Sequence, residues 1–181
     1  MSREVTLPLS PEVAAELRAG DEIELIGDVL TGRDQACKRL YDMTLKNEPL
    51  PVELDGQVLY FVGPTPARPG EVIGSAGPTT SARMNPFMPT LLSLGIRGMI
   101  GKGYISDEVK SSLEQHGGVY FGAIGGTGAL LSRSIQAAEI IAFPELLSEA
   151  IYRMRFYKFP VVVLHDTLGG DLYARAMPSA S

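Results

Sequence analysis

The sequence is poor in the residues that hold metals: among 181 residues there is one cysteine, Cys37, and two histidines, His116 and His165. A lone cysteine closes no internal disulfide, and one thiol with two separated imidazoles falls short of the three or four ligands of a zinc or iron–sulfur centre. Basic residues are outnumbered, 16 Lys and Arg against 21 Asp and Glu, giving a formal charge of −5 and a pI near 5.1. That balance excludes a broadly basic nucleic-acid-binding surface. No apolar run approaches the roughly 20 residues of a membrane span, and Met1-Ser2-Arg3-Glu4 lacks the basic-then-apolar order of a signal peptide. A cytoplasmic location, with neither nucleic acid nor membrane as a partner, is the expectation. Repeats, charge blocks and low-complexity linkers are missing too. With 45% hydrophobic and 20% charged residues, residues 1–181 read as one globular domain, which at this length buries roughly 70% of its extended-chain surface.

Residues 5–9, 22–27, 57–63 and 72–76 are short, rich in β-branched or aromatic side chains and bounded by Gly or Pro, and they read as strands. Ser10-Pro11-Glu12 supplies a capping hydroxyl, a proline for the first helical position and an acid for the first turn. A helix of one or two turns should therefore connect the first two strands and stop by Gly20. Across residues 34–46, Ala36, Cys37, Leu40, Tyr41 and Leu45 recur at helical spacing, with Lys38, Arg39, Asp42 and Lys46 opposite. Pro49, Pro51, Pro64, Pro66, Pro69 and Pro78 then force extended or turned backbone.

Beyond Pro78 the pattern alternates. It gives a helix around 86–94, a strand at 96–100, a helix capped by Ser106 and ending at Gly117-Gly118, and a strand at 119–124. Such alternation favours a parallel α/β arrangement. Gly125-Gly126-Thr127-Gly128 leads into a short apolar helix, and residues 138–143 and 161–164 are continuous apolar runs of the kind found in fully covered strands.

Chemistry-bearing residues collect where these strands end. Gly74-Ser75-Ala76-Gly77-Pro78-Thr79-Thr80-Ser81-Ala82-Arg83 joins a strand to a helix, the place where α/β sheets bind ligands. Glycines admit a ligand close to the backbone, hydroxyls and helix-start amides satisfy an anion, and Arg83 offers a two-pronged contact to a carboxylate. The competing reading is a capping turn with Arg83 on a solvated face. Lys102, between Gly101 and Gly103, is likewise either an unobstructed ammonium or a plain exposed turn, and the spacing is not that of a P-loop. Arg33 precedes Asp34 at a helix entrance, free to face an anion or to pair locally. Gly125-Gly126-Thr127-Gly128 lacks the dinucleotide spacing and reads better as tight packing or a turn. His116 fits a helix-capping role, His165 beside Asp166 is not placed in catalysis, and Cys37 on an apolar helix face reads as a buried structural thiol.

Taken in order, Thr31-Gly32-Arg33-Asp34, Gly63-Pro64-Thr65-Pro66-Ala67-Arg68-Pro69-Gly70, Gly77-Pro78-Thr79-Thr80-Ser81-Ala82-Arg83-Met84, Gly101-Lys102-Gly103 and His116-Gly117-Gly118 resemble one family. It is the β subunit, or C-terminal domain, of class I iron–sulfur fumarate hydratases and L-tartrate dehydratases, and the similarity runs from about Leu7 to Tyr173. The resemblance implies an α/β fold of the swivelling β/β/α type. It also implies a hydro-lyase that reversibly hydrates fumarate to L-malate, or dehydrates tartrate. A separate α subunit would carry a 4Fe-4S cluster, with no cofactor or metal bound by this chain. The family's catalytic hydroxyl matches Thr79, and its substrate-binding residues match Arg33, Thr80, Arg83 and Lys102. A hetero-oligomer with the α subunit is implied, and a homo-oligomer is the expectation for the isolated chain. The alternative function is a non-catalytic dicarboxylate-binding or regulatory domain that retains the fold.

Three departures stand out: Ala82-Arg83-Met84-Asn85 replaces the usual Gly-Arg-Met-Asp, Cys37 stands where the family commonly has His, and Arg153-Met154-Arg155-Phe156-Tyr157 replaces an acidic stretch. The chain purified alone is expected to be colourless and without hydratase turnover, because one cysteine cannot anchor a cluster that needs three. Cluster absorbance together with turnover in an anaerobically purified lone chain would contradict this.

Overall fold

The computed structural model describes residues 2–125 and 128–176. In chain order the elements are β1 (Arg3–Thr6), α1 (Pro11–Glu16), β2 (Glu22–Thr31), α2 (Asp34–Leu45), β3 (Val58–Tyr60), α3 (Met88–Ser93) and β4 (Gly98–Gly101). They continue with α4 (Asp107–His116), β5 (Val119–Ala123), α5 (Gly128–Leu131), β6 (Ile135–Ala142), β7 (Ile151–His165) and α6 (Leu172–Ala176). Local signals set the helix ends. Ser10 and Ser106 accept hydrogen bonds from the amides of Val13 and Val109 at 3.2 Å each, and α4 ends where Gly117 turns left-handed at φ 68°.

The sheet has seven strands in the order β1-β2-β3-β4-β5-β7-β6, with β7 also paired to β2. Strands β1 to β5 are parallel, while β7 runs antiparallel to β2, β5 and β6. Because β7 bonds to β5 on one side and β2 on the other, β2-β3-β4-β5-β7 closes into a ring. Alternation along each strand then sends side chains to two cores. Val58, Tyr60, Ile100, Phe121, Phe156 and Phe159 fill the inside of the ring. Leu59, Phe61 and Met99 point outward, under Cys37 and Leu40 of α2, Leu91 of α3 and Leu113 of α4. Inside the ring, Phe156 and Phe159 stack 4.0 Å apart and Tyr60 meets both edge-on.

The architecture is mixed α/β, so the parallel expectation holds for β1 to β5 and fails for β6 and β7. Residues 72–76 form no strand: the loop folds on itself, with Thr65 N–H donating to Ser75 O at 3.0 Å and Gly74 N–H to Thr65 O at 3.1 Å. The backbone bonds of Gly74 and Ser75 are thus spent on Thr65 of the same loop rather than on a neighbouring strand. The apolar run 138–143 belongs to β6, an edge strand with Gln136, Ala137, Glu139 and Ile140 exposed, and not to a covered strand. The run 161–164 is only the covered end of the much longer β7. Gly126 and Thr127 of the glycine-rich loop lie outside the described residues. Among the described residues no helix is long and apolar enough to cross a membrane.

Just past β7, Asp166 is 1% exposed and accepts hydrogen bonds from the amides of Ala19, Leu168 and Gly170 at 2.8, 2.9 and 2.8 Å. Burial alone would raise its pKa, yet these amides outweigh burial and hold the carboxyl below the ordinary range. A depressed carboxylate stabilises the fold above the unfolded value, near pH 4, and loses that contribution as pH falls through the folded value. Asp166→Asn is therefore expected to cost about 2 kcal/mol at pH 7, a deficit that shrinks toward pH 3 in urea unfolding. A deficit independent of pH would contradict the charged assignment.

Candidate functional site

Because β2, β3, β4 and β5 are parallel, the segments that follow them emerge at one edge of the sheet: Arg33 after β2, Gly63 after β3, Lys102 after β4 and Gly125 after β5. That carboxyl-end edge is where ligands bind in α/β sheets. The chain leaves the edge after β3 and returns to it at residues 79–81. There Thr79 N–H donates to Phe61 O at 2.7 Å, Thr80 forms a parallel bridge with Lys102, and Ser81 N–H donates to Lys102 O at 2.9 Å. Sequence-distant hydroxyls are thereby zipped beside the lysine. From inside the ring, the Tyr60 hydroxyl donates to Ala76 O and anchors the loop that makes the excursion.

A second set of contacts fixes the residues around Lys102. The buried Tyr120 hydroxyl donates to Gly103 O at 2.8 Å, which commits its only hydrogen. Ser81 Oγ, 2.8 Å away, must therefore donate to Tyr120. Burial, partly offset by the Ser81 contact, pushes the Tyr120 hydroxyl upward and keeps it a neutral donor. Ser81 reaches this position because position 101 is glycine: a methyl group there would overlap Ser81 Oγ and approach Phe61 Cδ2 to 2.8 Å. Asn85 Oδ1 accepts from Ser106 N–H at 3.2 Å, so the residue that departs from the family pattern still supplies an acceptor to the end of the Lys102 loop.

The result is a cavity of about 420 Å³ whose polar wall includes Gly77, Pro78, Lys102 and Tyr173 and whose apolar wall includes Leu131 and Leu164. Neither Thr79 nor Thr80 lines it: Thr80 is paired with Lys102 on its wall, and Thr79 precedes that pairing, bonded to Phe61 O. Arg83 is exposed on the short 3-10 turn Ser81–Met84, and neither it nor Arg33 lines the cavity itself. Arg33 is half-buried and packs against Gly63, where a methyl group would come within 2.8 Å of its Cδ and Nη1. Its Nε is buried without a hydrogen-bond partner among the described residues, and it makes no pair with Asp34. Among those residues, Arg33, Arg83 and Lys102 all lack an ion-pair partner. Their charge is left for something else at the edge.

Other candidates fall outside the site. His116 ends α4 and its carbonyl accepts from Arg97 Nη1 at 3.5 Å. His165 is 3% exposed, with both ring nitrogens unbonded and Glu114 and Asp171 each 3.9 Å away. Burial, partly offset by these two carboxylates, pushes its pKa down. Cys37 is fully buried and its thiol is pushed far up by burial and then by Asp34 and Glu149, so it offers no thiolate for a metal. Among the described residues no group of three or more His, Cys, Asp or Glu can hold a metal ion. Tyr120 and Tyr173 are the residues that the sequence left unmarked. Their only signal was a polar tip on an otherwise apolar element.

Gly101→Ala is expected to destabilise the chain by about 1–3 kcal/mol through overpacking, and Ser81→Ala in the same chain to restore part of the loss. Urea unfolding midpoints read both, and an unchanged midpoint for Gly101→Ala would refute the close approach.

Comparison with known proteins places this geometry in a family. A family model described as the fumarase C-terminus matches residues 2–176. The putative L(+)-tartrate dehydratase subunit beta of Methanocaldococcus jannaschii is 33% identical over 171 residues, covering 91% of this chain and 88% of that protein. Fumarate hydratase 2 of Leishmania major is 34% identical over 160 residues, 87% of this chain and 28% of that protein. The anaerobic class I fumarate hydratase of Escherichia coli K12 is 35% identical over 167 residues, 90% of this chain and 30% of that protein. The chain thus spans about a third or less of these two hydratases and nearly all of the tartrate dehydratase subunit. With the match running through every strand of the sheet and both segments that meet at Lys102, the chain belongs to the fumarase C-terminal family.

Proposed function

We propose that this chain is the β subunit of an iron–sulfur-dependent hydro-lyase that interconverts fumarate and L-malate, or dehydrates tartrate, with a partner α subunit that carries the cluster. The observation that carries the reading is the Thr80–Lys102 bridge, which brings a hydroxyl-rich segment and a lysine to the edge where two unpaired arginines also emerge. Length supports the division into subunits, because the chain spans 88% of a relative named as a β subunit. The donor set of this chain, one buried cysteine, does not fit an iron–sulfur cluster, so no step is assigned to one here. In this reading the domain swivels against its partner, which closes the open side of the edge, and the assembly is cytoplasmic.

The substrate carries two carboxylates, which Arg33, Arg83 and Lys102 hold by charge-assisted hydrogen bonds although the chain is net acidic. In the malate-to-fumarate direction Thr79 Oγ1 takes a proton from the carbon next to one carboxylate. The electron pair moves into that carboxylate, giving an aci form with added negative charge. Its collapse forms the double bond and expels the hydroxyl from the neighbouring carbon. That hydroxyl leaves as water by taking the proton relayed from Thr79, so that Thr79 returns to its starting state. Fixed cations stabilise the aci form more than the ground state. The same cations lower the cost of the Thr79 alkoxide, which a threonine in water would not form.

Steady-state kinetics of the assembled enzyme tests the roles. Thr79→Val keeps the shape and removes the hydroxyl, so kcat is expected to fall strongly with KM little changed. Lys102→Met is expected to raise KM and lower kcat. Arg83→Lys, which keeps charge but loses the two-pronged geometry, should reduce kcat/KM at least about tenfold. Near-normal kcat in Thr79→Val would remove it as the proton-transfer group. Tight dicarboxylate binding without turnover, even with a cluster-bearing partner, would favour the non-catalytic module.

A further inference from the structure

Tyr173 is the one aromatic side chain on the wall of the 420 Å³ cavity that also touches the lysine loop. It sits in α6, 70 positions from Gly103, and its hydroxyl accepts a hydrogen bond from Gly103 N–H at 3.2 Å. The direction of that bond matters. An amide can only donate, so the phenol oxygen is the acceptor and its own hydrogen is uncommitted; among the described residues nothing accepts it. Tyr120 is the opposite case, with its hydrogen spent on Gly103 O. The two tyrosines therefore grip the same residue from both ends, Tyr120 on the carbonyl and Tyr173 on the amide, but only Tyr173 retains a free donor, and it does so beside the lysine. Tyr104 packs against the Tyr173 ring in a tilted arrangement at 4.8 Å and 43°, which holds the ring against the loop. A half-buried phenol with an unspent O–H next to an unpaired ammonium is complementary to a carboxylate, which accepts through two oxygens.

We infer that Tyr173 is a further substrate-binding residue, its hydroxyl donating to the same carboxylate of a C4 dicarboxylate that the Lys102 ammonium holds. The inference rests on the proposed function and adds a neutral donor to the cationic set. The carboxylate that Tyr173 and Lys102 share is the one that does not become the aci form. A neutral donor, which acts only on the group it touches, thus binds ground state and transition state nearly equally, whereas the Lys102 charge also reaches the developing charge across the substrate. Loss of the Tyr173 hydroxyl therefore acts on affinity, whereas loss of Lys102 acts on affinity and rate together.

The experiment uses the chain assembled with its α subunit and compares wild type, Tyr173→Phe, Lys102→Met and Tyr104→Phe. It reads KM and kcat for fumarate and L-malate, the inhibition constant of succinate as a non-reacting dicarboxylate, and the thermal midpoint. Tyr173→Phe keeps the ring and its contact with Tyr104. KM and the succinate constant are expected to rise about tenfold, the size of one hydrogen bond to a charged group, with kcat within about twofold of wild type. Tyr104→Phe, which retains the packed ring, is expected to leave KM, kcat and the succinate constant unchanged. An unaltered succinate constant in Tyr173→Phe overturns the inference while the proposed function stands. So does a joint loss of affinity and kcat like that of Lys102→Met, which would mean that Tyr173 acts only by positioning the loop. A wild-type assembly with neither turnover nor succinate binding overturns the proposed function and the inference with it.

Discussion

Ser81 lies so close over Gly101 that a single methyl group at that glycine would overlap its hydroxyl and crowd the Phe61 ring. Through this approach, and the paired backbone of Thr80 and Lys102, a segment that left the sheet after β3 is brought back against the end of β4. Everything at the edge follows from it. Thr79 and Thr80 arrive beside Lys102, Arg83 is carried on the next turn, and Tyr120 is placed to bond both Ser81 and Gly103. The contact costs buried polar groups, which Ser81 and Tyr120 satisfy by bonding to each other rather than to water.

Charge at this edge is local and unspent. The two arginines in the departing stretch of β7 illustrate the contrast: Arg153 pairs with Glu139 at 3.2 Å and Arg155 with Asp28 at 3.1 Å. These four residues line a larger cavity, about 970 Å³, yet its cations are already neutralised by carboxylates. Lys102 in the smaller cavity faces no such partner among the described residues. Size alone would favour the larger cavity for a dianion; unpaired charge distinguishes from it the edge where β2 to β5 end.

Much of this was readable in the sequence wherever the signal is local. Ser10, Ser106 and Gly117 set helix ends within a turn of themselves, Arg33 stands at the entrance of a helix whose period is plain, and Lys102 follows a strand that an apolar run made plain. Cys37 was readable as a buried thiol from the helical period alone. What failed depended on partners distant in the chain. The first half of β7 alternates Arg153, Arg155 and Tyr157 outward with Met154 and Phe156 inward, a pattern obscured by charge and by Pro160. Residues 72–76 carry strand-like side chains but lie in a loop folded on itself. Tyr173 meets Gly103 across 70 positions and Tyr120 meets it across 17, and no spacing rule spans such distances.

In the proposed function the edge bearing Thr79, Thr80, Arg83 and Lys102 binds a C4 dicarboxylate, and nuclear magnetic resonance titration of the isotope-labelled full chain with L-malate tests that binding most directly. Binding there gives saturable amide shifts at Gly77, residues 79–83 and residues 101–103, and little change around Asp28, Arg153 and Arg155. Saturable shifts confined to the larger cavity, or no saturable shift at the edge at millimolar malate, would contradict it.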